Sequence, residues 1–506
     1  MFDPLTTAEA ARKHVTSALD PIQRSKLGQF FTPAATARLM ASMSTLTRKQ
    51  MRFLDAGAGL GALTAAWVAE ICSRPVPPDQ VCLRAYEVDA ALLPALRQTL
   101  AECERACMAA GITCDWEVRT TDFIDEAVDA LDGGLFRSDA PKFDVAILNP
   151  PYKKFRTESR TRRLLRRVNI ETSNLYTAFL ALVVLLLDDG GELIAITPRS
   201  FCNGPYFRPF RQHLLRHVSL TGLHVFEARD HAFRDDEVLQ ENVILHAVKA
   251  VPQQPMVRMS QSQTPDDPTD VERNVPFERV VRPSDSEAFI RLVAHENGHT
   301  FADAMQALPC TLDELGLCVS TGRVVDFRAR QWLRSEPMPG TVPLIHPTHF
   351  DLGVVRWPKA GTKKPNAIMY NANTADLAIP AGVYVLVKRF SAKEERRRVM
   401  AAVFDDEQVR CDVVGFENHL NYFHARGLPL DRSLAWGLAA FLNCSPLDSY
   451  FRQFNGHTQV NATDLRSLRY PRRDALTALG RETQGALPPQ HELDAIVAAV
   501  LELADG

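Results

Sequence analysis

Apolar and polar positions alternate in blocks along the first 250 residues of the chain. Short apolar runs that end at glycine, proline or an acid are typical of buried strands, and most are followed by longer segments with helical spacing. The predicted strands are "MRFLDAG", "VCLRAYEVD", "CDWEVRTTDF", "FDVAILNPPY" and "ELIAITP". Because strands and helices alternate, the pattern predicts a parallel α/β sheet.

Three intervening segments predict helices. "ALTAAWVAEICS" has helical spacing, and "AALLPALRQTLAECERACMAAG" is closed by Gly111. In "TSNLYTAFLALVVLLLDDGG" we expect the N-cap at Thr172 or Ser173 and the end at Gly190-Gly191, because hydroxyl side chains cap helix starts and glycine ends helices.

The chain changes character after residue 250. Residues 251–285 are rich in proline, glutamine, serine and acids, which predicts a linker or long exposed connection, assigned to 251–290. Beyond it, short strands, Gly/Pro turns and a few helices predict an α+β domain over 291–506. The first domain is assigned to 1–250.

Composition is that of an ordinary globular protein, with 46% apolar and 24% charged residues in 506. The apolar run from Ala178 to Leu187 is too short to span a bilayer, so we expect no membrane association and a cytoplasmic location. The ten cysteines contain no CxxC pair, so we expect reduced thiols and no metal site. The net charge of −3 confines any nucleic-acid contact to local basic patches.

A glycine-rich loop follows the first predicted strand. "FLDAGAGLGALT" places Asp55, Gly57 and Gly59 between a strand and a helix, where glycine permits a tight turn and close approach to a ligand. Gly57, Gly59 and Ala62 also match the G-x-G-x-x-G/A fingerprint of dinucleotide-binding proteins. An NAD or FAD site and a plain strand–helix turn therefore remain alternatives at this point.

Acidic residues end three successive predicted strands. Glu87 follows the second strand, where a carboxylate can accept both ribose hydroxyls, and Asp122 with Phe123 follows the third, where they suit the amino group and face of an adenine. Each acid alone also fits a solvated loop. Because open α/β sheets bind ligands at the carboxyl ends of their strands, Asp55, Glu87 and Asp122 together predict a ligand with a ribose and an adenine.

The fourth predicted strand ends at Asn149-Pro150-Pro151-Tyr152. An amino group conjugated to a ring is a poor nucleophile, and two acceptors, the Asn149 side-chain oxygen and the Pro150 carbonyl, can orient its lone pair. Proline fixes φ, and Pro151 restricts Pro150 to an extended conformation. Tyr152 offers a ring for stacking a planar base. The stretch therefore predicts alkylation of a ring-bound amine.

In this order, "LDAGAGLGA", "YEVD", "TTDF" and "NPPY" resemble the motifs of S-adenosylmethionine-dependent amino methyltransferases. More closely, the chain resembles the gamma-class N6-adenine DNA methyltransferases of bacterial type II restriction–modification systems, whose G-x-(F/Y)-(F/Y)-T-P motif matches "LGQFFTP". The resemblance spans about residues 26–250. It continues more loosely through "STGRVVDFR", "ENHLNYFH" and "NGHTQVNATDLRSLRYP", which look like the specificity domains of PstI-type modification enzymes.

The resemblance implies a Rossmann-like methyltransferase sheet in 1–250, with an N-terminal helix and cofactor motif in 1–45, and a target-recognition domain in 291–506. It implies methyl transfer from S-adenosylmethionine to N6 of a flipped adenine in duplex DNA, which protects that site from a cognate restriction endonuclease. We expect no physical association with that endonuclease, and a monomer. The target CTGCAG is hinted at only loosely.

The resemblance assigns roles to individual residues, with Phe31, Thr32 and Pro33 placed over the methionine end of the cofactor. The predicted catalytic residues are Asn149, Pro150, Pro151, Tyr152 and Phe233, the last as the aromatic clamp opposite the tyrosine, with Phe226 as the alternative. The predicted cofactor-binding residues are Phe31, Thr32, Pro33, Asp55, Gly57, Gly59, Glu87, Asp122, Phe123 and Asn149.

A basic run follows the tyrosine: residues 153–167 hold eight Lys or Arg against one acid. Such a run fits phosphate contacts, although a solvated face is the alternative. The predicted DNA-binding residues are Lys153, Lys154, Arg162, Arg163, Arg166, Arg167, Arg323, Asn418, His457 and Gln459. Further candidates for base reading are Arg328, Arg330, Asn421 and Asn461.

Other functions stay open at this stage. Protein-glutamine and RNA methyltransferases share the Asn-Pro-Pro-Tyr motif, but glutamine methyltransferases need neither the basic run nor the long C-terminal half. A DNA-binding module with an inactive cofactor site and a dinucleotide-dependent oxidoreductase are further alternatives. We find no convincing PD-(D/E)xK pattern, so cleavage would need a separate protein.

Overall fold

The computed structural model divides the chain into two compact units, Met1–Ala294 and His295–Gly506. It describes residues 3–18, 31–133, 140–156, 158–226, 242–265, 267, 271–283, 285–292, 305, 307–391, 395–454 and 459–504. No helix in these ranges has the length and apolar character that crossing a membrane requires.

The first unit is built on a nine-stranded sheet in the order β3-β2-β1-β4-β5-β7-β6-β8-β9. The strands are β1 (Gln50–Ala56), β2 (Gln80–Tyr86), β3 (Thr113–Arg119), β4 (Phe143–Leu148), β5 (Leu187–Pro198), β6 (Val218–Phe226), β7 (Asn242–Lys249), β8 (Met256–Ser262) and β9 (Val271–Pro276). β1 to β5 pair in parallel, and β7 lies antiparallel between β5 and β6. The predicted α/β fold is confirmed.

Helices cover both faces of this sheet. They are α1 (Pro4–Ala18), α2 (Ala34–Ser42), α3 (Ala62–Ser73), α4 (Leu93–Ala109), α5 (Phe123–Leu131), α6 (Arg160–Arg167), α7 (Leu175–Leu186), α8 (Arg208–His217) and α9 (Phe277–Val280). β4 shows why its sequence is continuously apolar: Val145 and Ile147 join the core beside α1 to α4, while Ala146 and Leu148 join the core beside α5, α7 and α8. A strand buried on both faces has no polar side.

The predicted bounds of α7 are wrong at both ends. The N-cap is Asn174 rather than Thr172 or Ser173, and the helix ends at Leu186, before the glycines. Gly190 and Gly191 lie inside β5, whose register against β4 shifts between Phe143 and Val145. A Cβ at Gly191 would lie 2.9 Å from the Asp188 carbonyl oxygen. These glycines therefore serve an irregular strand pairing rather than a helix stop.

The predicted linker over 251–290 is also wrong. β8 extends the sheet in parallel beside β6, and β9 pairs with β8, so the stretch belongs to the first unit. Serines favoured a linker in the sequence, but in the structure two of them face inward. Buried His224 lies 2.8 Å from Ser260 Oγ and 3.1 Å from Ser262 Oγ, so these polar side chains have a partner inside the fold. Val257 and Met259 are buried, as expected for a strand with period-two burial.

The second unit contains a six-stranded and a five-stranded sheet, in the orders β10-β20-β17-β18-β14-β13 and β11-β15-β12-β19-β16. The strands are β10 (Cys318–Thr321), β11 (Leu333–Arg334), β12 (Thr341–Ile345), β13 (Phe350–Asp351), β14 (Val354–Val355), β15 (Ala367–Met369), β16 (Ala378–Pro380), β17 (Tyr384–Lys388), β18 (Ala401–Phe404), β19 (Val413–Phe416) and β20 (Leu420–His424). This matches the predicted α+β organisation.

The helices of the second unit are α10 (Asp326–Ala329), α11 (Asp406–Val409), α12 (Arg432–Leu442), α13 (Ser445–Phe454), α14 (Ala462–Arg466), α15 (Arg473–Thr483) and α16 (Gln490–Ala504). Val385 and Val387 of β17 pack in the helical core, while Tyr384 and Leu386 pack with residues of the five-stranded sheet. α12 and α15 cross at glycines, since a Cβ at Gly437 would lie 1.7 Å from the Leu476 carbonyl oxygen.

Candidate functional site

The carboxyl ends of β1, β2, β3 and β4 meet at one edge of the first sheet because these strands are parallel neighbours. The loops that follow carry Gly57, Glu87, Asp122 and Asn149, and all four residues line one cavity of about 290 Å³. The prediction that successive strand ends build a common site is therefore matched by the geometry.

The glycine loop is shaped for close packing. Gly57, Gly59 and Gly61 all have positive φ, a conformation that side chains other than glycine rarely adopt. A Cβ at Gly59 would also lie 3.4 Å from the ring of Phe31, which lines the same cavity. The loop thus brings backbone, rather than side chain, to the cavity wall.

Glu87 is buried behind this loop and bound to it. One carboxylate oxygen accepts the backbone N–H of Gly59 at 2.9 Å, and the other accepts that of Asp89 at 2.7 Å. Burial raises the pKa of Glu87, against the opposing effect of these two hydrogen bonds. A carboxylate has about four acceptor positions, so Glu87 retains capacity for ligand hydroxyls at the cavity wall.

Asp55 does not line the cavity. Its side chain is fully buried, one oxygen accepts a hydrogen bond from Thr64 Oγ1 at 2.8 Å, and the other has no hydrogen-bond partner among the described residues. Burial raises its pKa to about 7. Its position fits support of the glycine loop rather than direct ligand contact, which differs from the predicted role.

Asp122 and Phe123 form another part of the cavity wall. The Asp122 carboxylate caps α5 by accepting the backbone N–H of Ile124 at 2.8 Å. Phe123 is buried, with its ring 5.1 Å from Tyr86 and 5.0 Å from Phe179. The wall therefore combines a carboxylate with an aromatic surface, as predicted for an adenine subsite.

Asn149 is held in one orientation by two neighbours. Its amide Nδ2 donates to Thr32 Oγ1 at 3.0 Å, so the motif around Thr32 lies beside the end of β4. The Tyr152 hydroxyl lies 2.9 Å from Asn149 Oδ1 and 3.1 Å from the Ile196 carbonyl oxygen. The Asn149 oxygen is thereby fixed, with one of its two lone pairs used by Tyr152.

Tyr152 itself sits among other rings. It packs edge-on against Tyr176, with ring centroids 6.0 Å apart. Burial raises the pKa of Tyr152 well above its ordinary value, so the phenol stays protonated and can donate its hydrogen bond at neutral pH. Ring and hydroxyl are both positioned at the edge of the sheet where Asn149 emerges.

Thr32 and Phe31 also line a smaller cavity next to the first, together with Asn149. Pro33 precedes α2 with φ −63° and ψ 152°. The aromatic clamp candidate Phe233 lies outside the described residues. The alternative, Phe226, is buried in the core beside His224, so the structure places it in packing rather than at an accessible pocket.

Several arginines of the basic run already form ion pairs with acidic side chains of the protein. Arg162 and Arg166 pair with Glu171, and Arg167 pairs with Asp129 and Asp132. By contrast, one set of exposed side chains forms no ion pair with any described residue, and we call it the unpaired basic set: Lys153, Lys154, Arg156 and Arg163. Acidic partners thus divide the run into two classes.

The predicted base-reading residues of the second unit fall into an accessible group and a group with structural roles. Arg323 is exposed and donates to the Asp376 carbonyl oxygen at 3.1 Å, and Asn418 and Gln459 are partly buried. Asn421 is fully buried between Thr321 and Val460, and Asn461 caps α14 with Asp464, so these two have structural roles instead. His457 lies outside the described residues, while Arg328 and Arg330 are exposed.

Several cavity residues are absent from the predicted site, and Val88 and Phe179 are two of them. Val88 is 64% exposed at the cavity, an unusual place for a branched apolar side chain, and its position between Glu87 and Asp89 was an available signal. Phe179 also lines the cavity, from α7. No signal distinguishes it in the sequence, because all the residues that follow it on α7 are apolar as well.

Comparison with known proteins places the chain in a family. Residues 100–233 match the Eco57I restriction-modification methylase family. The chain is 43% identical over 495 residues to the type II methyltransferase M.PstI of Providencia stuartii, covering 98% of this chain and 97% of that protein. It is 46% identical over 486 residues to the type II methyltransferase M.BsuBI of Bacillus subtilis, covering 95% and 94%.

Solved structures with the same fold include the type IIL restriction-modification enzyme MmeI in complex with DNA, with a TM-score of 0.53 at 10% identity over 90% of this chain and 70% of that chain. The DrdV–DNA complex has a TM-score of 0.51 at 13% identity over 94% and 59%. These two likenesses concern the fold, and the identity to M.PstI and M.BsuBI carries the family. The chain belongs to the type II methyltransferases of restriction–modification systems.

Proposed function

We propose that this methyltransferase transfers a methyl group from S-adenosylmethionine to N6 of an adenine in duplex DNA, and thereby protects that site from a cognate endonuclease. The observation that carries the proposal is the fixed Asn149 amide, whose oxygen is held by Tyr152 and whose nitrogen is held by Thr32 beside the cavity that contains Glu87. An oxygen that can accept a hydrogen bond from an amine therefore lies beside a cavity that can hold a nucleoside.

The cavity residues fit S-adenosylmethionine. Glu87 offers its remaining acceptor positions to ribose hydroxyls, Asp122 offers a carboxylate to an exocyclic amino group, and Val88 and Phe123 offer apolar faces to a purine ring. Glycine at position 59 keeps the wall open where a side chain would meet Phe31. When bound, the cofactor supplies an electrophilic methyl group on a sulfonium sulfur.

The end of β4 then orients the acceptor amine. Asn149 Oδ1 and the Pro150 carbonyl can each accept one N–H of the adenine amino group, which turns the nitrogen lone pair toward the methyl carbon. The amino nitrogen would take the methyl group, the cofactor would leave as a neutral thioether, and the proton lost from the nitrogen would pass to solvent. Because no strong base is needed, positioning supplies most of the rate enhancement.

Tyr152 contributes to base binding in this scheme. A flipped base costs a few kcal/mol to unstack and unpair. Stacking on an aromatic side chain returns about 1–3 kcal/mol. We assign that stacking to the ring of Tyr152, and its contacts with the Ile196 carbonyl oxygen and with Tyr176 support the assignment.

Phosphate contacts are assigned first to the unpaired basic set, which adjoins the catalytic motif. Arg162, Arg166 and Arg167 can contribute only by exchanging their present carboxylate partners for phosphates. Surface ion pairs are worth about 0–1 kcal/mol, so such an exchange is energetically accessible. Arg323, Asn418 and Gln459 remain the proposed base readers.

The alternative function, methylation of RNA or of protein glutamine, is not favoured because the relatives that match nearly the whole chain are type II methyltransferases. The test offers labelled S-adenosylmethionine with duplex DNA, RNA of the same sequence, or a glutamine-containing protein acceptor. We expect label in duplex DNA alone, and no transfer by Asn149→Ala although that variant still binds the cofactor. Label in RNA or protein, or normal transfer by the variant, would contradict the proposal.

A further inference from the structure

Among the described residues, one group of three side chains outside the catalytic unit has the composition and spacing of a metal centre. It consists of Asp326 at the start of α10, His346 after β12 and Glu417 after β19, and one ligand atom from each lies within 4.8 Å of the others. The His346 Nδ1 atom is 3.7 Å from Glu417 Oε2, and Nε2 is 3.8 Å from Asp326 Oδ1.

Three of these polar atoms, both ring nitrogens of His346 and Asp326 Oδ1, are buried without a hydrogen-bond partner among the described residues. His346 is fully buried, and neither ring nitrogen makes a hydrogen bond in the described part of the chain. Asp326 Oδ1, which faces the ring, is likewise without a hydrogen bond to any described residue. A buried donor or acceptor left unsatisfied is unfavourable. An occupant beside the imidazole would satisfy these atoms.

The two carboxylates are oriented by hydrogen bonds from residues other than His346. Lys364 Nζ binds Asp326 Oδ2 at 2.9 Å, which leaves Oδ1 directed at His346. The His419 side chain contacts Glu417 Oε1, and its backbone N–H donates to Oε2 at 2.9 Å. Metal-binding carboxylates are commonly held by such outer hydrogen bonds, which fix their orientation.

We propose that His346, Asp326 and Glu417 bind a divalent transition-metal ion of the zinc type in the second unit. Imidazole nitrogen with carboxylate oxygen suits this class of ion, with bond lengths of about 2.0–2.2 Å. Two ligands at that distance lie about 3.4 Å apart at the tetrahedral angle and about 4.2 Å apart when opposite. The three candidate ligand atoms lie within 4.8 Å of one another, so they would draw slightly closer around an ion.

One ring nitrogen would bind the ion, and the carboxylate beside the other ring nitrogen would exchange part of its present contacts to reach it. A water molecule would complete a four-coordinate site.

The ion would join three segments that are far apart in sequence. Residues next to its ligands include Arg323 and Asn418, the proposed base readers, so the metal would stiffen the surface that carries them. This consequence rests on the proposed function. The binding of the ion does not, because its ligands are independent of the catalytic unit.

The test uses the full-length protein after treatment with a chelator. Adding Zn²⁺ or Co²⁺ should give one tightly bound ion per chain, and the midpoint of thermal unfolding should rise with ion concentration. The isosteric variants Asp326→Asn and Glu417→Gln should each weaken binding at least tenfold and lose the thermal shift. The matched control Asp351→Asn removes an exposed acid that pairs with Arg356, and it should behave as wild type.

Wild-type stoichiometry does not depend on whether a variant folds. Absence of a bound ion and of a thermal shift in the wild type would overturn the proposal. Cobalt also separates this site from the cysteines, because thiolate ligands add charge-transfer absorption. A cobalt complex with that absorption, unchanged in Asp326→Asn and Glu417→Gln, would equally overturn it.

Discussion

Replacement of Tyr152 by phenylalanine separates the hydroxyl of this residue from its ring. In the structure the hydroxyl lies 2.9 Å from Asn149 Oδ1 and 3.1 Å from the Ile196 carbonyl oxygen, so it ties the amine acceptor to the end of β5. Phenylalanine keeps the aromatic ring proposed for stacking but removes the hydroxyl beside Asn149 Oδ1. We therefore expect a slower chemical step with little change in DNA binding.

The magnitude follows from the hydrogen bonds. A hydrogen bond contributes about 0.5–1.5 kcal/mol net, and a buried acceptor left without its donor costs somewhat more. A loss of about 1–2 kcal/mol in transition-state stabilisation corresponds to a rate about 5- to 30-fold lower. The assay is single-turnover methyl transfer with enzyme and cofactor in excess, which excludes product release from the measured rate.

Tyr176→Phe is the matched control. It removes the hydroxyl of the neighbouring tyrosine, which lies 3.2 Å from Ser200 Oγ and does not contact Asn149. We expect a rate within about twofold of wild type for this control. A Tyr152→Phe rate equal to or above that of wild type would refute the positioning role and would indicate that the hydroxyl competes with the substrate amine for Asn149 Oδ1.

Three further predictions concern other parts of the molecule. Gly437→Ala should destabilise the second unit by about 1–3 kcal/mol or more, seen as a lower thermal unfolding midpoint, because α12 and α15 would have to separate; an unchanged midpoint would contradict the observed crossing. Alanine at all positions of the unpaired basic set should lower the slope of log affinity for DNA against log salt by about 0.9 for each phosphate that is no longer neutralised, whereas Arg167→Ala should change it less. Burial raises the pKa of Asp55 to about 7 in the folded state, above its value of about 3.9 when unfolded, so its contribution to stability is complete below about pH 4 and is lost as pH rises through 7. Asp55→Asn should reduce the difference in unfolding free energy between pH 5 and pH 8, measured by denaturant titration. An unchanged difference would argue against the buried carboxyl.

The catalytic edge of the sheet could be predicted because its signals are local. A buried strand is visible in the sequence as an apolar run. When neighbouring strands are parallel, the residue after each strand lies at the carboxyl edge of the sheet. Glu87, Asp122 and Asn149 were found in this way, and all three line the observed cavity. Burial behind the loop could not be seen in the same pattern, so Asp55 was placed in the cavity wall.

Other features depend on partners that are distant in sequence. The polar stretch after residue 250 becomes strand because His224 receives Ser260 and Ser262, a contact that composition cannot reveal. Arg167 meets Asp129 and Asp132 only after α5 and α6 pack together, so the sequence shows a basic run where the fold shows paired charges.

Polar residues in the second unit illustrate the same limit. Asn421 and Asn461 have side chains suited to reading bases, and nothing in the sequence distinguishes them from Asn418. The fold uses Asn421 to join β10 to the Val460 carbonyl and Asn461 to cap α14. The ligands of the proposed metal centre escaped notice for a related reason, since residues 326, 346 and 417 have no characteristic spacing.

The most direct test of the proposed chemistry is the identity of the methylated nucleoside. Duplex DNA is incubated with the wild-type protein and S-adenosylmethionine, digested completely to nucleosides, and analysed by mass spectrometry against authentic standards. We predict N6-methyladenine as the modified nucleoside, because in the proposed chemistry the Asn149 and Pro150 oxygens accept the two N–H groups of the adenine amino group. N4-methylcytosine, 5-methylcytosine or unmodified DNA would contradict that claim.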